Sequence, residues 1–183
     1  HGFPEAAFIW DELLDYFAAP EHGGFRCIAP NLRGFEQSSA PTEVSAYRAH
    51  LLVQDLAELA ASENPAGRIE VLVAHDWGGA FGWGFGNRHG DRLGRLVIIN
   101  SPHPGTFARE LQNNPDQQAA SAYMNFLARP DAEALLAADD YRRMWPMFLG
   151  MKAGADGFGW LTEPVKDQYR KVWDAGLKGA CNL

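Results

Sequence analysis

Five consecutive residues, His75-Asp76-Trp77-Gly78-Gly79, follow directly on the apolar run Ile69-Glu70-Val71-Leu72-Val73-Ala74. A β-branched stretch that runs into small-x-Asp-x-Gly (Ala74, Asp76, Gly78) and then into an amphipathic segment predicts a tight strand-to-helix turn with Asp76 at its tip. Such a turn is strained and the helix behind it packs close, so small residues are needed on either side of the tip. In its usual form, G-x-S-x-G, the elbow presents a serine hydroxyl suited to acyl transfer. A carboxylate in that place can instead displace a leaving group from saturated carbon, forming an ester that water later cleaves. The competing reading of Asp76 is a helix N-cap, which Asp favours. The preceding strand, the glycines and the Trp weigh toward the nucleophile.

The remaining pattern supplies a frame for that turn. At 183 residues, 46% hydrophobic and 12% aromatic, the chain can bury one sizeable core. Periodicity predicts a helix over 6–17, where Phe8, Ile9, Leu13, Tyr16 and Phe17 recur at helical spacing ahead of Pro20 and Gly23-Gly24. Residues 25–29 read as a short strand, 30–41 as a Pro/Asn/Gly/Ser-rich loop, and 45–61 as a helix with Leu52, Leu56 and Leu59 on one side. A strand over 69–74, a helix over 78–88 and a strand over 96–99 follow, the last ended by Asn100-Ser101-Pro102-His103-Pro104. This alternation predicts an α/β fold with a parallel sheet and helices on both faces. From 106 to 179 the periodicity is helical, broken at Pro115, Pro130, Pro146 and Pro164. The expected division is a sheet core over 1–105 and an inserted helical lid over 106–183.

Several function classes fall away. A net charge of -7 without a Lys/Arg run gives no phosphate-binding stripe, which argues against nucleic acid. No apolar stretch reaches the roughly 18 residues of a membrane span, and no signal-like segment opens the sequence. Cys27 and Cys181 lack metal-like spacing, so the expectation is two reduced thiols in a cytoplasmic protein. The glycines after Asp76 form neither G-x-G-x-x-G nor a Walker sequence. A start at His1 and a stop at Leu183 read as an excerpt of something longer.

Ligands of a doubly wound sheet sit at the carboxyl ends of its strands. Three segments are expected there: His1-Gly2-Phe3-Pro4, the elbow, and the Asn100–Pro104 turn. The first two together resemble the epoxide hydrolase branch of the α/β-hydrolase fold, near the haloalkane dehalogenases. Ala29-Pro30-Asn31-Leu32-Arg33-Gly34 is similar to a loop of those enzymes, which usually carry Asp where this chain has Asn31. The resemblance implies a partial α/β-hydrolase core with a lid, acting without metal or cofactor. It makes Asp76 the nucleophile and assigns the oxyanion hole to the backbone N–H groups of Phe3 and Trp77. It places a cis bond before Pro4, and it puts Tyr123 at the lid position that protonates the departing oxygen. A second lid Tyr is expected just beyond Leu183. Trp77, Pro102, His103 and Leu127 are the candidate substrate contacts, and the implied partners are a small apolar epoxide, or a haloalkane, and water.

Alternatives stand beside these roles. Tyr123, Phe126 and Leu127 form an i, i+3, i+4 stripe that also suits plain packing. Trp77 could serve as a pocket wall or, as in dehalogenases, hold a halide. Phe3 has no side-chain N–H with which to share that task. Trp145, Trp160 and Trp173 are expected in the core. His75 and His103 are expected to make structural hydrogen bonds, His1 to brace the oxyanion turn if a preceding strand holds it, and His22, His50 and His89 to be solvated. An ester at Asp76 also needs a His base and an acid to orient it. Of the downstream candidates, His89 sits in the wrong place for that work and His103 is conceivable but falls on the other side of the lid insertion, so both groups are expected to be missing from these residues. A binding module that lost its base is the reading from another class.

Overall fold

Two parallel strands carry the fold: β1 (Ile69–His75) and β2 (Leu93–Ile99) pair from Ile69 beside Leu93 to His75 beside Ile99. Both are rich in Val, Ile and Leu, as a strand buried within a parallel sheet requires. Between them runs α3 (Trp77–Arg88), a crossover whose glycines let it lie close against the sheet. A Cβ added at Gly82 would stand 3.1 Å from both Ala74 Cβ and Ile98 Cδ1, so α3 covers the face that bears Ala74, Ile98, Leu72 and Leu96. Val71, Val73, Val97 and Ile99 point the other way and remain 38–43% exposed. The computed structural model describes residues 1–150 and 159–183.

Ahead of the sheet lie a 3-10 turn over Ala7–Trp10, α1 (Asp11–Ala18), and α2 (Ala49–Glu63), which packs on α3. Three expectations change here. Residues 25–29 are not a strand, because no strand among the described residues pairs with them. The helix expected over 45–61 is split: Val44–Tyr47 form a 3-10 turn, extended Arg48 interrupts, and α2 starts at Ala49. Tyr47 sets that break by burying its ring and donating its hydroxyl to the Pro41 carbonyl at 2.8 Å. The helix expected over 6–17 starts as the 3-10 turn, where Phe8 and Ile9 pack on the core, while Leu13, Tyr16 and Phe17 stay exposed.

After β2 every regular element among the described residues is helical: α4 (Pro104–Asn113), α5 (Pro115–Ala120), α6 (Tyr123–Leu127), α7 (Ala132–Tyr141), α8 (Trp145–Gly150), α9 (Glu163–Asp174) and α10 (Lys178–Cys181). Residues 151–158, inside the stretch expected to be helical, lie outside the described residues. The end of α7 winds left-handed through Asp139, Asp140 and Tyr141, with φ of 54°, 53° and 58°. Non-glycine residues resist this geometry, and α9 holds it in place. Arg170 grips the Asp140 carboxylate with two N–H groups at 2.9 Å, and Tyr141 donates to Asp174. Tyr141, Phe148, Tyr169 and Trp173 then form an aromatic cluster, which continues through Phe3, Leu32, Phe35 and Phe85 into the region under the sheet. At its edge α10 meets the 31–41 loop main chain to main chain. A Cβ on Gly179 would lie 2.4 Å from Gly34 Cα, and one on Gly34 would lie 2.7 Å from the Gly179 carbonyl carbon.

Candidate active site

Asp76 sits between β1 and α3 with φ 51° and ψ -123°, outside the helical and extended regions. Its own N–H donates to Ile99 O at 3.2 Å and its carbonyl accepts from Ala80 N at 3.2 Å, so the neighbouring strand and the helix both fix the bend. Strain of this kind persists only where the surroundings impose it. The carboxylate does not cap α3. It turns toward the first residues of the chain and accepts the Phe3 N–H on Oδ1 at 2.9 Å. The helix-cap alternative is therefore not the one the side chain adopts.

The segment that supplies this donor is a tight turn. Glu5 N donates to Gly2 O at 2.9 Å around a cis Phe3–Pro4 bond, the isomer expected there. Gly78 N donates to His1 O at 2.9 Å, tying the turn to the first turn of α3. Position 2 must be glycine, since a Cβ would come within 2.0 Å of Asp76 Oδ1. His1 is buried beside the turn and held by the 31–41 loop rather than by a strand: its Nε2 accepts the Leu32 N–H at 2.9 Å. Trp77 occupies the first position of α3, where a backbone N–H has no partner within the helix. One backbone donor, the Phe3 N–H, thus meets the carboxylate directly.

Of a second layer of side chains, only His75 was expected to make a structural hydrogen bond, and it does so. The Glu5 carboxylate receives His75 Nδ1 at 3.1 Å on one oxygen and the Tyr169 hydroxyl at 3.5 Å on the other. The hydrogen bond to Glu5 raises the pKa of His75 above its ordinary value, against the effect of partial burial. Burial, reinforced by the Glu5 charge, pushes the Tyr169 phenol far above the usual range, so it acts as a donor. Beside it, Trp173 donates its indole N–H to Pro4 O at 2.7 Å. Glu5 follows His1-Gly2-Phe3-Pro4 directly and could have been noticed, whereas nothing local marks Tyr169 or Trp173. Asn31, the departure from the resembled loop, accepts the Ala7 N–H at 2.8 Å and donates to Glu36 Oε2 at 2.7 Å. A carboxylate there could not make the second bond.

Tyr123 opens α6 and is 50% exposed, unlike Phe126 and Leu127, which pack on the core. The packing reading of the stripe therefore holds for Phe126 and Leu127 but not for Tyr123. Partial burial, with the Asp76 charge adding to it, holds its phenol above the ordinary value. No hydrogen bond joins Tyr123 to Asp76 among the described residues; what links them is that charge. Trp77 and Leu127 are half-buried against the central cluster. Pro102 and His103 are exposed. His103 caps α4 by accepting Gly105 N at 3.1 Å and stands edge-on to Trp83, and no contact brings it to Asp76.

Two of the histidines expected to be solvated are partly exposed and also rest on aromatic rings. His22 stacks on Tyr16 at 3.6 Å, and His89 lies against Phe85 at 5.1 Å. Trp173 is 2% exposed, as expected of core, whereas Trp160 is 39% exposed and rests edge-on against Phe148. Both cysteines are free thiols, and burial pushes Cys181 up to about 11. No helix among the described residues is long and apolar enough to cross a membrane.

Comparison with known proteins agrees with this geometry. The α/β hydrolase fold family matches residues 1–140. Epoxide hydrolase 3 of Xenopus tropicalis is 37% identical over 145 residues, covering 79% of this chain and 38% of the frog protein. The AB hydrolase superfamily protein YfhM of Bacillus subtilis is 32% identical over 174 residues, covering 94% of this chain and 58% of its own. A solved mutant epoxide hydrolase from Bacillus megaterium, holding its product (R)-3-[1]naphthyloxy-propane-1,2-diol, superposes with a TM-score of 0.85 at 29% identity, over all of this chain and 61% of that one. The chain thus spans about half the length of the relatives it matches. An Asp-tipped elbow between parallel strands, facing a backbone donor turn and matched along most of its length, belongs to a protein of the α/β-hydrolase-fold family.

Proposed function

We propose that the protein opens epoxides to vicinal diols through an alkyl ester on Asp76. The observation that carries this reading is the elbow itself, with Asp76 Oδ1 held by the Phe3 N–H at 2.9 Å and the second oxygen left free to attack. In the proposed first step Oδ2 bonds to an epoxide carbon, the ring C–O bond breaks, and the departing oxygen takes the Tyr123 hydroxyl proton. A phenol kept protonated by its surroundings at neutral pH suits that task. In the second step water adds to the ester carbonyl after giving a proton to a base. Phe3 and Trp77 N–H groups receive the oxyanion, and the acyl C–O bond then breaks. The base returns its proton to the leaving alkoxide, and the remaining proton of the water restores the Tyr123 phenol. His103 caps a helix and His89 packs on Phe85, so the base is assigned to the part of the relatives' length that this chain does not span. The helices after β2 would form the lid over this site, with Trp77 and Leu127 as apolar walls and Pro102 and His103 farther out at the rim.

The test uses the full-length protein and 1-naphthyl glycidyl ether, the epoxide that corresponds to the naphthyloxy diol held by the Bacillus megaterium relative. Diol formation together with a transient adduct on the Asp76 peptide is expected. Asp76→Asn should lower turnover by roughly 10³-fold or more. Loss of diol formation in Tyr123→Phe supports the epoxide reading, whereas halide release retained by that variant moves the assignment to haloalkanes. Ligand binding without an adduct, unaffected by Asp76→Asn, makes the chain a binding module instead.

A further inference from the structure

Among the described residues, the helical segment after β2 hydrogen-bonds to the Gly2–Glu5 turn through two side chains, Tyr169 and Trp173, one helical turn apart on α9. The turn offers few handles, because Pro4 has no N–H, the Gly2 carbonyl closes the turn itself, and the Phe3 N–H is committed to Asp76. The Pro4 carbonyl therefore has a particular weight, as it lies one peptide from the donor that faces the carboxylate. Its partner is the indole N–H of Trp173, at 2.7 Å and only 2% exposed, a bond between residues 169 positions apart. We propose that Trp173, supported by Tyr169, is a positioning residue: by holding the Pro4 carbonyl it fixes the direction of the Phe3 N–H and makes the oxyanion donor depend on α9 being seated. The inference rests on the reading of Asp76 as nucleophile.

The two chemical steps separate this role from a merely structural one. Alkylation of Asp76 needs a free Oδ2 and tolerates a slightly misdirected donor, whereas ester hydrolysis builds the negative charge that the Phe3 N–H must meet. Trp173→Phe keeps the ring in its cluster and removes the bond, leaving a buried carbonyl without a partner. In the full-length protein, with enzyme in excess over 1-naphthyl glycidyl ether and the adduct followed by rapid-quench mass spectrometry, this variant should alkylate within about threefold of wild type. Its ester should decay roughly 10- to 100-fold more slowly, the range set by a donor displaced rather than deleted. Tyr141→Phe is the control: it removes one bond to Asp174 while Trp173 keeps α9 seated on the Pro4 carbonyl, so it should lower the melting temperature and leave both steps within about twofold. Should Trp173→Phe fail to fold, Tyr169→Phe, which loses only the hydroxyl on Glu5, is expected to slow the same step by about threefold. Ester decay at the wild-type rate in the folded variants, or equal slowing of both steps in Trp173→Phe and Tyr141→Phe, overturns the proposal. If wild type forms no Asp76 adduct, the nucleophile reading and this one fall together, a result distinct from either of those.

Discussion

At position 2 a single hydrogen in place of a methyl group keeps the carboxylate of Asp76 usable. Gly2→Ala would drive a Cβ into Oδ1 at 2.0 Å, and the turn or the carboxylate must shift. Activity should fall about 100-fold, since displacements near 1 Å around a reacting group carry that penalty; steady-state kinetics checks it. Asn31→Asp is the second residue-scale case. It sets a carboxylate against Glu36 in place of an amide N–H at 2.7 Å, and should cost about 1–3 kcal/mol at neutral pH. Urea melts should show that loss shrinking as pH falls toward about 4, because the apposed charges make one acid of the pair take up a proton more readily in the folded state than in the unfolded chain. The His75–Glu5 contact has the opposite sign. Its folded pKa is raised by the Glu5 hydrogen bond, so the stability it adds is fully present below about pH 6.5, provided Glu5 is ionised, and is lost as pH rises through the raised value. An NMR titration should find the His75 midpoint above 6.5, and Glu5→Gln should bring it down. Asp76 and Asn31 stood out in the sequence because their signals are local. Tyr169, the distant partner of Glu5, did not, because it lies 164 residues away.

The same division between local and distant causes runs through the elements. β1, α3 and β2 matched their sequence pattern closely, since a β-branched run, a glycine-flanked turn and a second apolar run need little from elsewhere. Residues 25–29 carry the composition of a strand, yet strand character requires a neighbour, and none among the described residues pairs with them. The left-handed close of α7 was likewise invisible: nothing in Ala138-Asp139-Asp140-Tyr141 announces it, and the cause is the grip of Arg170 and Asp174 from α9. The Gly34–Gly179 approach gives the element scale its own prediction. Gly179→Ala must push α10 off the loop or distort it, and should destabilise by about 1–3 kcal/mol. Thermal melts of the variant test this, and an unchanged melting temperature would show that α10 is not seated on that loop.

Taken whole, the chain has one sheet face covered by α3 and one face of valines and isoleucine left at 38–43% exposure. Parallel sheets normally bury both faces. Residues 1–183 produced by themselves should therefore bind a hydrophobic dye through Val71, Val73, Val97 and Ile99, and Val73→Thr with Val97→Thr should reduce the signal. A signal that does not change in the double variant would move the apolar surface elsewhere, to Leu13, Tyr16 and Phe17 of α1. The family itself could be read from two short motifs, because a sharp bend and the segment facing it are set by a handful of side chains. How the later helices seat on that frame could not be, since it depends on contacts spanning most of the chain.

One consequence follows from the bond between Phe3 and Asp76. In water the two oxygens of a carboxylate are interchangeable, but here one is tethered before any substrate arrives. On the proposed chemistry the untethered atom leaves inside the diol, and the solvent molecule consumed in that cycle replaces it on the protein. Each product would then carry away an atom acquired one cycle earlier, so the enzyme would keep a one-turnover isotopic memory of the water it last used.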